Sequence, residues 1–159
     1  MKSGAFTLIE LMIVVVIISF LAVLAVPQLS RYKAKAYQAE VAVNLASLHT
    51  AQQTFFAQNG FYTNVLLGEN GLGWRPTGYQ ESGKSNFHYT YGFNFPGAQE
   101  GVHYFVGKLG APVTSLGSTN AAKDGFIACA AGDVMGKNAV DVWQIDENRN
   151  IKHTQNGVD

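Results

Sequence analysis

A lone carboxylate inside an apolar run is the residue of this sequence with the most chemistry to explain. Residues 6–26 read FTLIELMIVVVIISFLAVLAV, with one ionisable side chain, Glu10, and two hydroxyls, Thr7 and Ser19. An ionised carboxylate in a membrane span costs on the order of a few kcal/mol and calls for a partner. Glu10 lies roughly 6 Å along a helix axis from Phe6, at about 1.5 Å per residue. One reading therefore lets it reach water at the end of the span. The other needs a cation at similar depth, which a cut before Phe6 creates as a free α-amine. That amine can pair with Glu10 of its own chain, one turn away, or of a neighbour packed slightly out of register. Spacing does not separate the two.

The other reactive residue types are scattered. Cys129 is the single cysteine, so no internal disulfide and no multi-cysteine zinc or iron–sulfur site exists. Flanked by alanines, it reads as a buried, inert thiol. The run DENRN at 146–150 imitates the opening of a calcium loop, but Ile151 stands at the sixth position and Gly157 at the twelfth. The match fails there, and a hairpin turn is the better account. His49, His88, His103 and His153 show no ligand spacing, and no phosphate loop, serine elbow or paired-acid motif is present. No constellation carries enzyme chemistry, a cofactor or a metal. Lys+Arg and Asp+Glu both number 11, and this neutrality argues against a nucleic-acid binder acting through bulk charge.

The apolar residues are concentrated where Glu10 lies. Twenty-one residues at about 1.5 Å each span roughly 30 Å, the thickness of a bilayer's hydrocarbon core. A secretory signal has a shorter apolar stretch, about 7–15 residues, followed by small residues at its cleavage site. Here the small residues Gly4 and Ala5 precede the run, so a cut there retains the helix. Pro27 lacks an N–H, and its ring clashes with the carbonyl of Val23, which predicts a bend or local unwinding.

These residues resemble a known family. GAFTLIEL at 4–11, the apolar run and Pro27 are similar to the class III signal of type IV prepilins, a resemblance covering roughly residues 1–35. It implies that a prepilin peptidase cuts between Ala5 and Phe6 and N-methylates Phe6. It also implies that Glu10 pairs with the N-terminal amine of an adjacent subunit during assembly. Alanine replaces the glycine usual just before the cut. Cutting after Gly4 instead would make the glutamate sixth in the mature chain, so Ala5–Phe6 is the preferred bond. By the same resemblance the partners are other pilin subunits, the peptidase/methyltransferase and an assembly platform in the inner membrane. The precursor is a single-pass inner-membrane protein with its C-terminal domain outside, and the product is an extracellular filament. Adhesion and twitching motility are the uses implied. A pseudopilin of a type II secretion system is the alternative within the same fold. A membrane-anchored binding domain that never polymerises is the alternative outside it.

The expected organisation is a leader at 1–5, a transmembrane half-helix at 6–26, an amphipathic half-helix at 27–59, a loop at 60–85 and a sheet region at 86–159. Residues 28–58 contain no glycine or proline and end at Asn59-Gly60, a common C-terminal stop. A bulky stripe, Ala34, Tyr37, Val41, Leu45, Leu48, Gln52 and Phe55, predicts the core-facing side. A small stripe, Tyr32, Ala36, Ala39, Val43, Ala46 and Thr50, lies on roughly the opposite face and reads as subunit contact in a filament core. Arg31, Lys33 and Lys35 follow the span while Lys2 precedes it, so charge does not orient the chain. Tyr62, Trp74 and Tyr79 in the loop are expected to pack down on the domain. Residues 86–95 alternate strictly and predict a strand, with further candidates at 102–109, 125–131 and 140–145, and a hairpin return at 151–154. The expected class is α+β: the pilin fold, with one long helix packed on an antiparallel sheet of about four strands.

Overall fold

The computed structural model describes residues 6–82, 85–136 and 139–158. One α-helix, α1, runs from Leu8 to Asn59 and stops where Gly60 takes a positive φ of 77°. It continues through Pro27, without the local unwinding that the proline's missing N–H made possible. The chain divides into two compact units, Met1–Lys33 and Ala34–Asp159.

In the first unit the helix carries its apolar side chains outward. Leu8, Ile9, Leu11 and the hydrophobic residues that follow, to Leu29, are all exposed. The segment is long and apolar enough to cross a membrane, and none of its most apolar window is buried. An isolated helix with this surface has no core of its own and needs lipid or other helices around it.

In the second unit the rest of α1 covers a five-stranded antiparallel sheet. The strands are β1 (Thr90–Gly92), β2 (Tyr104–Phe105), β3 (Ile127–Gly132), β4 (Asp141–Asp146) and β5 (Ile151–Gln155), in the order β2-β1-β3-β4-β5. Ala34, Val41, Leu45, Leu48 and Gln52 of the bulky stripe are buried, and Tyr37 and Phe55 half-buried. On the small stripe Tyr32, Ala36, Ala39, Val43 and Thr50 are exposed and Ala46 is half-buried. The central strand β3 is buried on both faces. Ala128 and Ala130 meet the helix-side core, while Cys129 and Ala131 pack with Ala111 and Leu116 beside a 3-10 turn at Val113–Leu116. Small side chains at these positions let a helix and a covering loop approach the same strand from opposite sides.

Two expectations are corrected. The sheet has five strands rather than about four, because the return after β4 forms a full edge strand. The strands expected at 86–95 and 102–109 shrink to three and two ladder residues. The alternation itself is real: Phe87, Tyr89, Tyr91 and Phe93 are all buried in one cluster. What fails is regular pairing. Phe87 and His88 carbonyls accept from Lys108 and Leu109 N–H groups at 3.0 and 2.9 Å, outside any ladder. Gly107 allows this approach, since a Cβ there would sit 2.3 Å from the His88 and Tyr89 carbonyl oxygens.

The expected loop has no regular secondary structure over its described residues. It is pinned to α1 by side chains. Asn44 Oδ1 accepts the Thr77 N–H at 2.9 Å, Ser47 Oγ accepts Trp74 Nε1–H at 2.9 Å, and Gln52 Nε2 donates to the Thr63 carbonyl at 2.6 Å. Tyr62 and Trp74 are buried and Tyr79 half-buried against the core, as expected. The 146–150 segment is a hairpin turn: Asp146 Oδ1 accepts the N–H groups of Asn148 and Asn150 at 3.0 and 2.9 Å, and Arg149 has φ 64°. The Asp146 carboxyl is raised by burial but held below its usual range by Asn150 and Asn148, which outweigh it.

Candidate functional site

The N-terminal end of α1 is built from Thr7 and Glu10. Thr7 precedes the first helical residue, Leu8, and occupies the N-cap position. The Thr7 N–H donates to Glu10 Oε2 at 2.8 Å, and its hydroxyl donates to the same oxygen at 2.6 Å. The Glu10 N–H faces Thr7 Oγ1 at 3.3 Å. This reciprocal arrangement is the capping box, which satisfies donors that the first helical turn leaves unpaired. The Thr-x-x-Glu spacing carries that signal, and sequence reasoning centred on membrane burial passed over it. Glu10 therefore has a partner within its own chain. Both it and Phe6, which is 75 % exposed, stay accessible. Gly4 and Ala5 lie outside the described residues. Pro27 lies within α1, and its side chain is outside the described set.

The globular unit holds a second polar centre that sequence reasoning missed. The Asp141 carboxylate is fully buried at the start of β4. Its Oδ2 accepts Tyr89 O–H at 2.6 Å and Trp143 Nε1–H at 2.7 Å. Its Oδ1 accepts His153 Nε2–H at 2.6 Å, Gln38 Nε2–H at 3.0 Å and the Gly157 N–H at 3.0 Å. Burial pushes this carboxyl up, but the donors from Tyr89, Gly157, His153 and Trp143 outweigh it and hold the group below its usual range. The His153 ring stacks on Trp143 with centroids 3.9 Å apart. One acid thus joins α1, the approach to β1, β4, β5 and the C-terminal segment. A carboxylate set between Val140, Val142 and Trp143 was the available sequence signal.

Glu40 does a related job on the same unit. Its Oε1 accepts the His88 N–H and the Tyr91 O–H, both at 3.0 Å, and its Oε2 faces His88 Nδ1 at 2.6 Å. His49 and Gln53 both reach the Glu147 carbonyl, at 3.0 and 2.9 Å, and so tie the β4–β5 turn to the helix. His103 accepts the Gln99 N–H at 3.0 Å, and burial lowers its pKa. Cys129 is fully buried, and burial pushes its thiol up to about 12. Among the described residues no group of three or more His, Cys, Asp or Glu gathers as a metal site would need. These polar side chains hold elements of the unit together, whereas Glu10 is exposed.

A family model described as the prokaryotic N-terminal methylation motif matches residues 1–26. The chain thus carries a prokaryotic N-terminal methylation motif. It is 41 % identical over 75 residues to the type IV major pilin protein PilA of Myxococcus xanthus, covering 47 % of this chain and 33 % of that protein. It is also 34 % identical over 87 residues to the type II secretion system core protein G of Vibrio cholerae, covering 52 % of this chain and 60 % of that protein. The chain spans from a third to three fifths of the length of these curated relatives. Its fold is the α+β arrangement expected from the resemblance.

Proposed function

We propose that this pilin-like chain is a structural subunit, the major one, of a type IV pilus. The supporting observation is the apolar half of α1, whose described side chains from Leu8 to Leu29 are exposed and which has an accessible carboxylate near its start. Before assembly that half crosses the inner membrane once, with the globular unit outside. Prepilin peptidase cuts between Ala5 and Phe6 and methylates the new amine on Phe6. An assembly platform then extracts the subunit, and apolar helices replace lipid as one another's surroundings. Contacts of this head-to-tail kind do not close, so they generate a filament rather than a ring. Glu10 exchanges one of its Thr7 bonds for the amine of a neighbouring Phe6, and Pro27 is the point at which the helix bends to fit. Adhesion and twitching are the uses such a filament serves.

Two variants separate capping from charge. Glu10→Gln keeps a side chain that completes a capping box, whereas Glu10→Ala removes it. If the charge serves assembly, both variants are inserted and cleaved but neither builds filaments at the wild-type yield. Normal filaments from Glu10→Gln would show that capping is the residue's whole role. Mass spectrometry of the mature product should find N-methylated Phe6, and an intact Met1 would instead identify a membrane-anchored domain that never polymerises. The likeness to the secretion protein, over a larger share of its length, favours a pseudopilin as the second reading. Electron microscopy of sheared surface filaments, with peptide identification of their main component, decides between the two.

A further inference from the structure

The apolar segment of α1 ends in a basic run, Arg31, Lys33 and Lys35, of which Arg31 and Lys33 lie nearest the apolar residues. Leu29 is the last of its exposed aliphatic residues, and Arg31, Tyr32 and Lys33 follow at once, all three exposed. The stretch 11–39 contains no Asp or Glu. The next acid, Glu40, is engaged by His88 and Tyr91. Arg31 and Lys33 take part in none of the ion pairs among the described residues.

At about 100° per residue, Arg31 and Lys33 point roughly 200° apart, to opposite sides of the helix, and Lys35, also exposed, returns to within about 40° of Arg31 one turn further from the apolar segment. A partner on one side meets Arg31 with Lys35 or meets Lys33, whereas a plane surrounding the helix just past Leu29 meets Arg31 and Lys33 together. Leu8–Leu29 extends about 33 Å at about 1.5 Å per residue, which sets the pair at headgroup depth if the segment fills a bilayer core of roughly 30 Å. Tyr32, with an apolar ring and a polar tip, is of the type that lies at that level. Long basic side chains reach headgroups from such positions with their stems along apolar surface.

We propose that Arg31 and Lys33, with Tyr32 between them, form a collar that binds anionic phospholipid headgroups where α1 leaves the membrane. This rests on the reading that the apolar half of α1 lies in a bilayer. In that topology the collar sits on the outer side of the inner membrane, where the positive-inside tendency disfavours it. Headgroup binding gives the cations a local partner there. It also sets a charge-dependent hold on the subunit that extraction must break.

The test is competition between two vesicle populations of different density, phosphatidylcholine alone and phosphatidylcholine with phosphatidylglycerol. The full chain equilibrates between them in sub-solubilising detergent and is quantified after flotation. A basic side chain at an anionic surface is worth about fivefold, so Arg31→Gln/Lys33→Gln should lower the anionic-to-neutral ratio about thirtyfold. Added salt should shrink the wild-type ratio through screening. Arg31→Lys should preserve the ratio, and Lys123→Gln, which removes an exposed cation of the globular unit, should leave it unchanged. A double variant with the wild-type ratio overturns the collar. If that same variant also fails to form filaments, the cations belong to a contact between subunits instead. Wild-type chain that enters neither population defeats the membrane reading itself, an outcome distinct from both.

Discussion

Replacing Asp141 by Asn tests whether one buried carboxylate holds the C-terminal end of the domain. All five groups around it are donors: Tyr89 O–H, Trp143 Nε1–H, His153 Nε2–H, Gln38 Nε2–H and the Gly157 N–H. An asparagine amide keeps one acceptor oxygen and turns the other position into a donor. With the NH2 toward Tyr89, the hydroxyl can rotate to accept, but Trp143 Nε1–H is left without a partner. With it toward Oδ1's neighbours, the Gly157 N–H is orphaned. Either way one buried donor is lost, at about 1–3 kcal/mol, and the remaining bonds fall from charge-assisted to neutral at about 1 kcal/mol each. Relief of the buried charge offsets part of this. The net expectation is a loss of about 3 kcal/mol, against a typical domain stability of roughly 5–15 kcal/mol.

Urea unfolding of the full chain in detergent, followed by tryptophan emission, measures it, since Trp143 stacks on His153 beside the carboxylate. The acid limb supplies the sign. Because the folded carboxyl lies below its unfolded value, its contribution is complete above the unfolded pKa of about 3.9. It is lost as pH falls from there through the folded value. Asp141→Asn should therefore flatten the acid limb as well as lower the plateau. A variant within about 1 kcal/mol of wild type, with the acid limb intact, would refute the reasoning.

Leu45, fully buried between helix and sheet, should lose about 3 kcal/mol on Leu45→Ala, read from the same urea transition. Gly107→Ala forces a Cβ to 2.3 Å from two carbonyl oxygens and should cost about 3 kcal/mol, or prevent folding, by circular dichroism. Burial raises the Tyr89 and Tyr91 hydroxyls well above their ordinary range. Stability should then fall as pH rises past the unfolded tyrosine value of about 10, by up to about 1.4 kcal/mol per pH unit for each ring, and Tyr89→Phe should halve that slope. Cys129 should resist iodoacetamide in the native chain at mildly alkaline pH and react on unfolding, as mass spectrometry would show.

The sequence made the long elements legible because their patterns are long and one-sided. Residues 28–58 lack breakers and carry a stripe at helical spacing, and the structure buries five of its seven residues and half-buries Tyr37 and Phe55. The alternation of Phe87, Tyr89, Tyr91 and Phe93 predicted correctly which side chains face the core, but not how few residues join the ladder. Side-chain period reports the face a residue takes, whereas ladder length depends on the partner segment, here set by Gly107 and by a turn at 99–103. Asp141 stayed hidden for a related reason. Its five donors come from positions as far apart as Gln38 and Gly157, and no local window contains them. The Thr7–Glu10 box, by contrast, is local and legible in the Thr-x-x-Glu spacing.

The two units draw stability from different sources. The globular unit closes its own account: its described buried side-chain polar atoms all have hydrogen-bond partners, and its single cysteine leaves no disulfide to secure the C-terminal end. Asp141 takes that part by gathering β4, β5 and Gly157 onto one carboxylate. A covalent staple acts mainly by limiting the unfolded chain, whereas this cluster acts in the folded state and depends on a proton. The end of the domain is therefore secured conditionally, by pH. The apolar half of α1 has no such closure, since its exposed aliphatic surface is stabilised only by what surrounds it. Moving that half from lipid into contact with other helices exchanges one apolar environment for another, so the hydrophobic effect contributes little to the direction of the exchange. Direction must come from the few polar groups at its ends. On the proposed reading, Glu10 at one end gains a neighbour's amine while Arg31 and Lys33 at the other release headgroups. The balance between insertion and assembly then turns on charged side chains at the two ends of an otherwise apolar segment.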